Sequence, residues 1–448
     1  MLPVIKTYAI NLKHRTDRKA HIQAQFEGRK EFDLKIIEAC EAQIGAVGLW
    51  NSVLYILGNV ADRNDEYIII CEDDHQFTAN YSPELFISCI EQARAKGADI
   101  LCGGVSWLNC AIQISKELFW VEKFTGGQFI VIFNKFTPFL LSAVFKDSDC
   151  YDLVISSLTN QKFIIHPFIS TQKEFGYSDV TEINSIEGRV NGLFNKTSAS
   201  VQILKDVSAF YKKSQDKINQ ANHVAVIKDM VIPTYIINLK DRTARREHIE
   251  KQFENRPEFD FSVIEACEHE IGAVGLWNSI RKIIEIAQSN EDDVIIICED
   301  DHEFTSDYSS DLLMKNIIEA YQQGIEVLSG GIGGFGAIIP VTRNRLWVNA
   351  FLSTQFIIVY KRIFQKILDA PFDDKVVADG AISEIADNKM VLYPFISVQK
   401  DFGYSDVTAV HNTNSGLVNT MFEDTSMRIQ NIYSAMDVLF EEMIVVSV

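Results

Sequence analysis

The chain has 448 residues, too many for one ordinary hydrophobic core, and its 47% hydrophobic and 23% charged content is that of a globular protein. A formal net charge of -19 excludes the basic face that general nucleic-acid binding or docking on anionic lipid requires. A local basic pocket for a phosphate remains compatible with that balance.

The opening MLPVIKTYAINLKHR lacks the basic start, long apolar run and small-residue cleavage site of a secretory signal, and no apolar run approaches the length of a membrane span. Cys40, Cys71, Cys89, Cys102, Cys110, Cys150, Cys267 and Cys298 show neither CxxC nor zinc-finger spacing. They read as reduced, mostly buried thiols, and the expected compartment is the cytoplasm.

Along the chain, YAINLKHRTDR at Tyr8 is followed by IEACEAQIGAVGLWNS, IIICEDDHQF, Gly103-Gly104, Gln128 and FGYSDVT. Each returns at one constant offset: YIINLKDRTAR at Tyr235, IEACEHEIGAVGLWNS, IIICEDDHEF, Gly330-Gly331, Gln355 and a second FGYSDVT. The chain therefore reads as one domain of about 220 residues written twice, an ordinary size for an independent fold and too long a period for a solenoid. VQILKDVSAFYKKSQDKINQ closes the first copy as an amphipathic helix, RIQNIYSAMDVLFEEM closes the second, and Pro233 marks the junction. The expected domains are residues 1–227, with the closing helix and linker at about 200–230, and 228–448.

Within the second copy the elements alternate: VIPTYIINL as strand, DRTARREHIEKQFENR as helix, FSVIEAC as strand, IGAVGLWNSIRKIIEIAQS as helix, DDVIIICED as strand, SDLLMKNIIEAYQQG as helix and IEVLSGG as strand. Alternation of this kind predicts an α/β fold with a mostly parallel central sheet, flanked by helices on both faces in each domain. Ligands then sit beyond the carboxyl ends of the strands.

The apolar run before Glu299, Asp300 and Asp301 predicts a central strand whose end opens on that crevice. Carboxylates gathered there repel one another unless a cation lies among them; oxygen ligands suit Mg or Mn, and an imidazole such as His302 suits Mn better. The bland alternative is a solvated strand exit. Arg242, Arg245 and Arg246 fall on the first turn of the following helix, where arginine forks and a helix N-terminus favour phosphate, unless they are simply a solvated basic face. Trp347 and Trp120 can stack on a sugar or belong to the core.

The ordered set Tyr-x-Ile-Asn-Leu with its arginines, Glu-Ile-Gly before a helix, an apolar strand ending in Glu-Asp-Asp, the later Gly-Gly and YPFISVQKDFGYSD resembles glycosyltransferase family 25 through most of each copy. The family includes lipooligosaccharide and collagen galactosyltransferases. The resemblance implies tandem GT-A (Rossmann-like) domains, a sugar-nucleotide donor such as a UDP-sugar, a divalent metal (Mn or Mg), a glycan, lipooligosaccharide or peptide acceptor, and inversion at the anomeric carbon. It makes Asp301 a metal ligand, with Glu299 or Asp300 facing the donor ribose or a metal-bound water, and Asn238 and Arg242, with Arg245, on the nucleotide side. Asp379 falls where the family carries an Asp beside the acceptor and can take the hydroxyl proton; its other reading is a helix N-cap. The family's Ser-His after Glu-Ile-Gly is absent, replaced by Trp277, Asn278 and Ser279, so sugar and acceptor preference do not carry over.

The first copy offers the same set as Asn11, Arg15, Glu72, Asp73, Asp74 and Asp152. It differs in having Gln43 for Glu270, Ser157 for Glu384 and Asn184 for His411, a late histidine that can ligate metal in the second copy alone. The second copy is thus the expected active site. The competing readings are a sugar nucleotidyltransferase, against which INLKDRTARR lacks a glycine-rich phosphate loop, and a non-catalytic carbohydrate- or nucleotide-binding scaffold.

Overall fold

The computed structural model describes residues 3–178, 182–220, 230–372, 377–404 and 416–439. These fall into two compact units, one formed by residues up to Asp206 with those from Ser434 on, the other by Val207–Tyr433. The division falls inside the helix Arg189–Gln220. The expected junction at 227/228 lies outside the described residues.

The second unit is an eight-stranded sheet with the spatial order Phe259–Glu265, Ile232–Asn238, Val294–Glu299, Phe356–Tyr360, Val327–Ser329, Lys389–Leu392, Arg345–Val348 and Ile338–Pro340. The first unit has the same order: Phe32–Glu38, Ile5–Asn11, Tyr67–Glu72, Phe129–Phe133, Ile100–Cys102, Lys162–Ile165, Leu118–Val121 and Ala111–Gln113. The α/β expectation holds, but the sheets are mixed rather than mostly parallel. Ile232–Asn238 runs parallel to both of its neighbours, whereas Phe356–Tyr360 is antiparallel to both of its own. The chain reaches Phe356–Tyr360 through short hairpin strands instead of a crossover helix, and so arrives running the opposite way.

Val294–Glu299 lies inside the sheet, and Ile295, Ile296, Ile297 and Cys298 are buried on both faces. A run of apolar residues with no polar alternation can be accommodated only there. Its last residue, Glu299, is level with Ile237 of the neighbouring strand, so Asn238 and the Glu-Asp-Asp triplet emerge together at the carboxyl edge. Helices Thr243–Phe253, Gly272–Ser289 and Ser310–Gln322 connect the strands as expected. In the first of these, Arg245, Ile249 and Phe253 are buried at intervals of one helical repeat, so Arg245 lies on the inward stripe.

The Gly330-Gly331 pair follows from a close approach. A Cβ at Gly331 would lie 2.0 Å from the Ser397 carbonyl oxygen, leaving no room for any side chain where Ser397–Gln399 pairs with His302–Phe304. Trp347 and Trp120 are core residues of their sheets, 7% and 3% exposed, and Trp120 donates its indole N–H to the Asn160 carbonyl. Neither is placed to stack on a sugar.

Each sheet also buries a lysine at the same position, Lys162 and Lys389, with the ammonium donating to the carbonyls of Thr159 and Ala386. Burial pulls Lys162 down to about 8 from 10.5, and lowers Lys389 likewise. Since the unfolded chain holds the proton up to the higher value, stability should rise with pH between about 8 and 10.5. Lys162→Met should abolish that share of the rise. Thermal melts of both proteins across this range test it, and parallel pH slopes would refute the assignment.

Candidate active site

A cleft of about 670 Å³ opens at the carboxyl edge of the second unit's sheet. Asn238 ends the first strand and donates its amide N–H to the Arg242 carbonyl at 3.3 Å and to Asp300 Oδ2 at 2.8 Å. Arg245, turned inward by its place on the helix, donates to Asp300 Oδ1 at 2.8 Å and Asp301 Oδ2 at 3.2 Å. Its other terminal nitrogen bonds the Tyr404 carbonyl at 2.8 Å, and its guanidinium lies 4.8 Å from the rings of Phe402 and Tyr404. Phe402 and Tyr404 of the repeated segment therefore cover the arginine that neutralises the acidic pair. Arg242 faces the cleft and approaches the Tyr404 ring, while Arg246 is exposed and paired with Glu250.

Glu299 accepts a hydrogen bond from the Thr354 hydroxyl at 2.8 Å. Asp379 Oδ2 accepts from the Ser353 N–H at 2.8 Å and Oδ1 from the Gly380 N–H at 2.7 Å. Asp379 is the second residue of the helix Ala378–Ile385, and Val377, not Asp379, is its N-cap. Gln399 reaches Asp301 only at 3.3 and 3.4 Å. Thr354, Ser353 and Gln399 were not singled out by sequence, although Gln399 recurs as Gln172 and the Ser353-Thr354 pair stands where the first copy has Gly126-Gly127.

The electrostatics are one-sided. Seven carboxylates and two arginines line the cleft, and Glu270 is among the carboxylates. Burial, and after it Asp301, pushes the Glu299 carboxyl up to about 8, with Thr354 opposing. Burial also pushes Asp301 up to about 6 against the pull of Arg245. Burial works against the charge of Arg245, yet Asp301 and Asp300 outweigh it and hold the group above its ordinary range. Such carboxylates have free energy to gain from a cation.

Among the described residues, no three metal-ligating side chains are gathered as a ready-made cage. The donor set nonetheless fits a hard divalent ion of the kind held by one or two carboxylates, with phosphate oxygens and water completing the shell. The bonds to Asp301 are long, 3.2 to 3.4 Å, and leave its oxygens lone pairs for an ion. His302 has no part in this. It is fully buried, its ring lies 4.3 Å from Phe304 and 4.8 Å from Phe356, and Nδ1 pairs with the Ser397 hydroxyl, so burial holds it neutral. His411 lies outside the described residues. Trp277 stacks on Phe372 at 4.8 Å, and Ser279 ties the Cys267 N–H to its own helix.

In the first unit, Asn11, Asp73 and Arg18 repeat the arrangement, with Arg18 at 2.9 Å from both Asp73 and Asp74. Arg15 packs on the Tyr177 ring at 4.0 Å. Gln172 holds Asp74 Oδ2 at 2.9 Å, closer than its counterpart holds Asp301. Asp152 accepts from the N–H groups of Gly126 and Gly127, leaving Glu72 without a hydroxyl partner equivalent to Thr354. The larger difference is Tyr151, which stands where the second unit has Ala378. Its ring is buried against Trp50 and is near enough to Asp152 and Glu72 for both to raise its phenol above the ordinary range, after burial itself. A buried aromatic residue of the first unit thus stands at the position that in the second unit is an alanine of the cleft lining.

No curated protein is similar to the chain in sequence. Among solved structures, an apo UDP-glucose pyrophosphorylase aligns with a TM-score of 0.27 at 8% identity, covering 43% of this chain and 82% of its own. The mannosyltransferase PcManGT from Pyrobaculum calidifontis, in complex with GDP-Man and Mn2+, aligns with a TM-score of 0.24 at 9% identity, covering 54% and 83%. Overlap of this degree speaks to neither ligand nor reaction. Residues 231–274, which carry Asn238, Arg242, Arg245 and the loop through Gly272 into the cleft, match the model of glycosyltransferase family 25 (LPS biosynthesis protein).

Proposed function

We propose that the second unit is a metal-dependent, inverting glycosyltransferase of GT-A type that moves a hexose from a sugar nucleotide, a UDP-sugar in the first instance, to an acceptor hydroxyl on a glycan, lipooligosaccharide or peptide. The observation that carries this reading is the convergence, in one cleft, of Arg242, the Glu299-Asp300-Asp301 triplet and Asp379, with Asn238 bonded to Asp300 and a family 25 match over the segment that supplies Asn238 and Arg242. The excess of carboxylates is the second support. An anionic diphosphate would be repelled by this lining, so nucleotide and cation must enter together.

Asp301 is the residue proposed to hold the ion, whose role when bound is to offset charge on the departing diphosphate. Arg242, at the start of its helix, contributes a fork for a phosphate oxygen. Arg245 is assigned a different role from the one its position in the sequence suggests: committed to both aspartates, it orients them and does not hold phosphate. Asp379 is the proposed base. Its two oxygens each accept one backbone N–H and retain lone pairs for the acceptor proton. As the proton passes to Asp379, the acceptor oxygen bonds to the anomeric carbon and the bond from that carbon to the phosphate oxygen breaks, giving the glycoside and the nucleoside diphosphate. A single displacement of this kind inverts configuration.

The first unit is proposed to be a non-catalytic partner, because a buried tyrosine, Tyr151, stands near Asp152 and Glu72 where the second unit has Ala378 in its cleft lining. Calorimetry with UDP, with and without Mn, tests the reading on the full chain. Binding that requires the metal is expected; nucleotide binding unchanged by metal, or none at all, would overturn it.

A further inference from the structure

The turn between the short strand Phe351–Leu352 and the strand Phe356–Tyr360 differs between the units in a way that isolates one hydroxyl. The backbone frame is common to both: the Glu299 N–H bonds the Gln355 carbonyl at 3.0 Å, and the Glu72 N–H bonds the Gln128 carbonyl at 2.9 Å. Gln355 is itself pinned to the Gly331 carbonyl and the Ser397 hydroxyl, at 3.0 and 3.2 Å. On that shared frame the first unit carries Gly126 at φ +84 and Gly127, and the second carries Ser353 at φ +83 and Thr354.

A serine in the left-handed region is strained where glycine is not, so the second unit retains strain that the first does not have. What accompanies the strain is a redistribution of contacts. Both glycine N–H groups of the first unit go to Asp152, at 2.8 and 2.9 Å. In the second unit the Ser353 N–H alone goes to Asp379, and Thr354 turns its hydroxyl to Glu299 Oε1 at 2.8 Å. In the first unit a Cβ at Gly127 would come within 2.5 Å of Ile130 Cδ1 and 3.1 Å of Asp152 Oδ1, so Ile130 would have to shift to admit a side chain there.

Resting on the function proposed above, we propose that Thr354 is a positioning residue, which fixes the Glu299 carboxylate to accept hydrogen bonds from a sugar hydroxyl of the donor. The carboxyl oxygens of Glu299 match the hydroxyl-bearing parts of a sugar nucleotide, the ribose or the hexose. Without the Thr354 bond the Glu299 side chain keeps its place in the cleft but loses its fixed orientation. Fixed orientation is what separates a specific acceptor of hydrogen bonds from a general anionic wall.

Thr354→Val keeps the shape and β-branching of the residue and removes only the hydroxyl. The full chain carrying it should show a Kd for UDP-sugar, and a donor KM, raised about tenfold, with acceptor KM unchanged. Thr354→Ser should restore both to within about twofold of the starting protein. Donor affinity that Thr354→Val does not alter would overturn the inference, as would a loss accompanied by a lowered Tm that Thr354→Ser fails to rescue. If the unaltered chain shows no metal-dependent UDP binding, the functional reading itself fails first; if it binds normally and Thr354→Val does too, only the role of Thr354 is lost.

Discussion

Asp301→Asn should abolish metal-dependent nucleotide binding, weakening it by about 100-fold or more, whereas Asp74→Asn should leave both binding and transfer within about twofold of the unaltered chain. The asymmetry follows from the surroundings of two otherwise identical motifs. Asp301 borders an open cleft and is held loosely, with Arg245 at 3.2 Å and Gln399 beyond it. Asp74 is gripped at 2.9 Å by both Arg18 and Gln172, and the neighbouring Glu72 lies near the buried Tyr151. Asp379→Asn belongs in the same series, because it separates chemistry from binding: kcat should fall by about 10²–10⁴, with UDP affinity kept. Equal losses from Asp301→Asn and Asp74→Asn in isothermal calorimetry and transfer assays would establish two working sites and defeat the assignment to the second unit.

Arg245→Met should destabilise the second unit by about 3–5 kcal/mol, because it leaves two aspartates facing each other in a nearly buried site with their shared cation gone. The side chains concerned are only 8%, 12% and 14% exposed, so water cannot make up the loss. In thermal melts this corresponds to a fall on the order of 10 °C. Combining Arg245→Met with Asp300→Asn and Asp301→Asn should recover much of the loss, since the cost lies in uncompensated charge more than in missing packing. A triple variant no more stable than Arg245→Met would show that the arginine acts by filling space against Phe402 and Tyr404. High Mn with UDP should also raise the melting temperature of the unaltered chain, since a ligand that binds only the folded state stabilises it by mass action.

Much of the architecture was legible before any coordinates. The constant offset between IIICEDDHQF and IIICEDDHEF sets out two copies, and the unbroken apolar run before Glu299 demands a strand covered on both faces. The mixed character of the sheet was not legible, because FIIVY at Phe356–Tyr360 is as apolar as a parallel strand and its direction depends on the connection that precedes it. Nor was it legible which arginine at the start of the helix Thr243–Phe253 turns inward. Arg242 stands seven residues before Ile249 and Arg246 three before it, spacings that share the helix face with Arg245, so only the packing decided that Arg245 is the one buried.

Sequence alone therefore determined the repeat, the α/β class and the gathering of carboxylates at a strand's carboxyl end, since these follow from local pattern and from the limits on burying apolar runs. Only the tertiary structure decided how those carboxylates are used. His302, adjacent in sequence to the acidic triplet, turns into an aromatic core because strand neighbours face opposite ways, while Thr354 and Gln399, remote in sequence, are brought to Glu299 and Asp301 by strand pairing. Two copies with the same Glu-Asp-Asp-His differ in what surrounds it, a tyrosine against an alanine and a glycine pair against Ser353-Thr354. Shape and hydrogen-bond direction depend on residues far apart in the chain, and a motif read by itself carries neither.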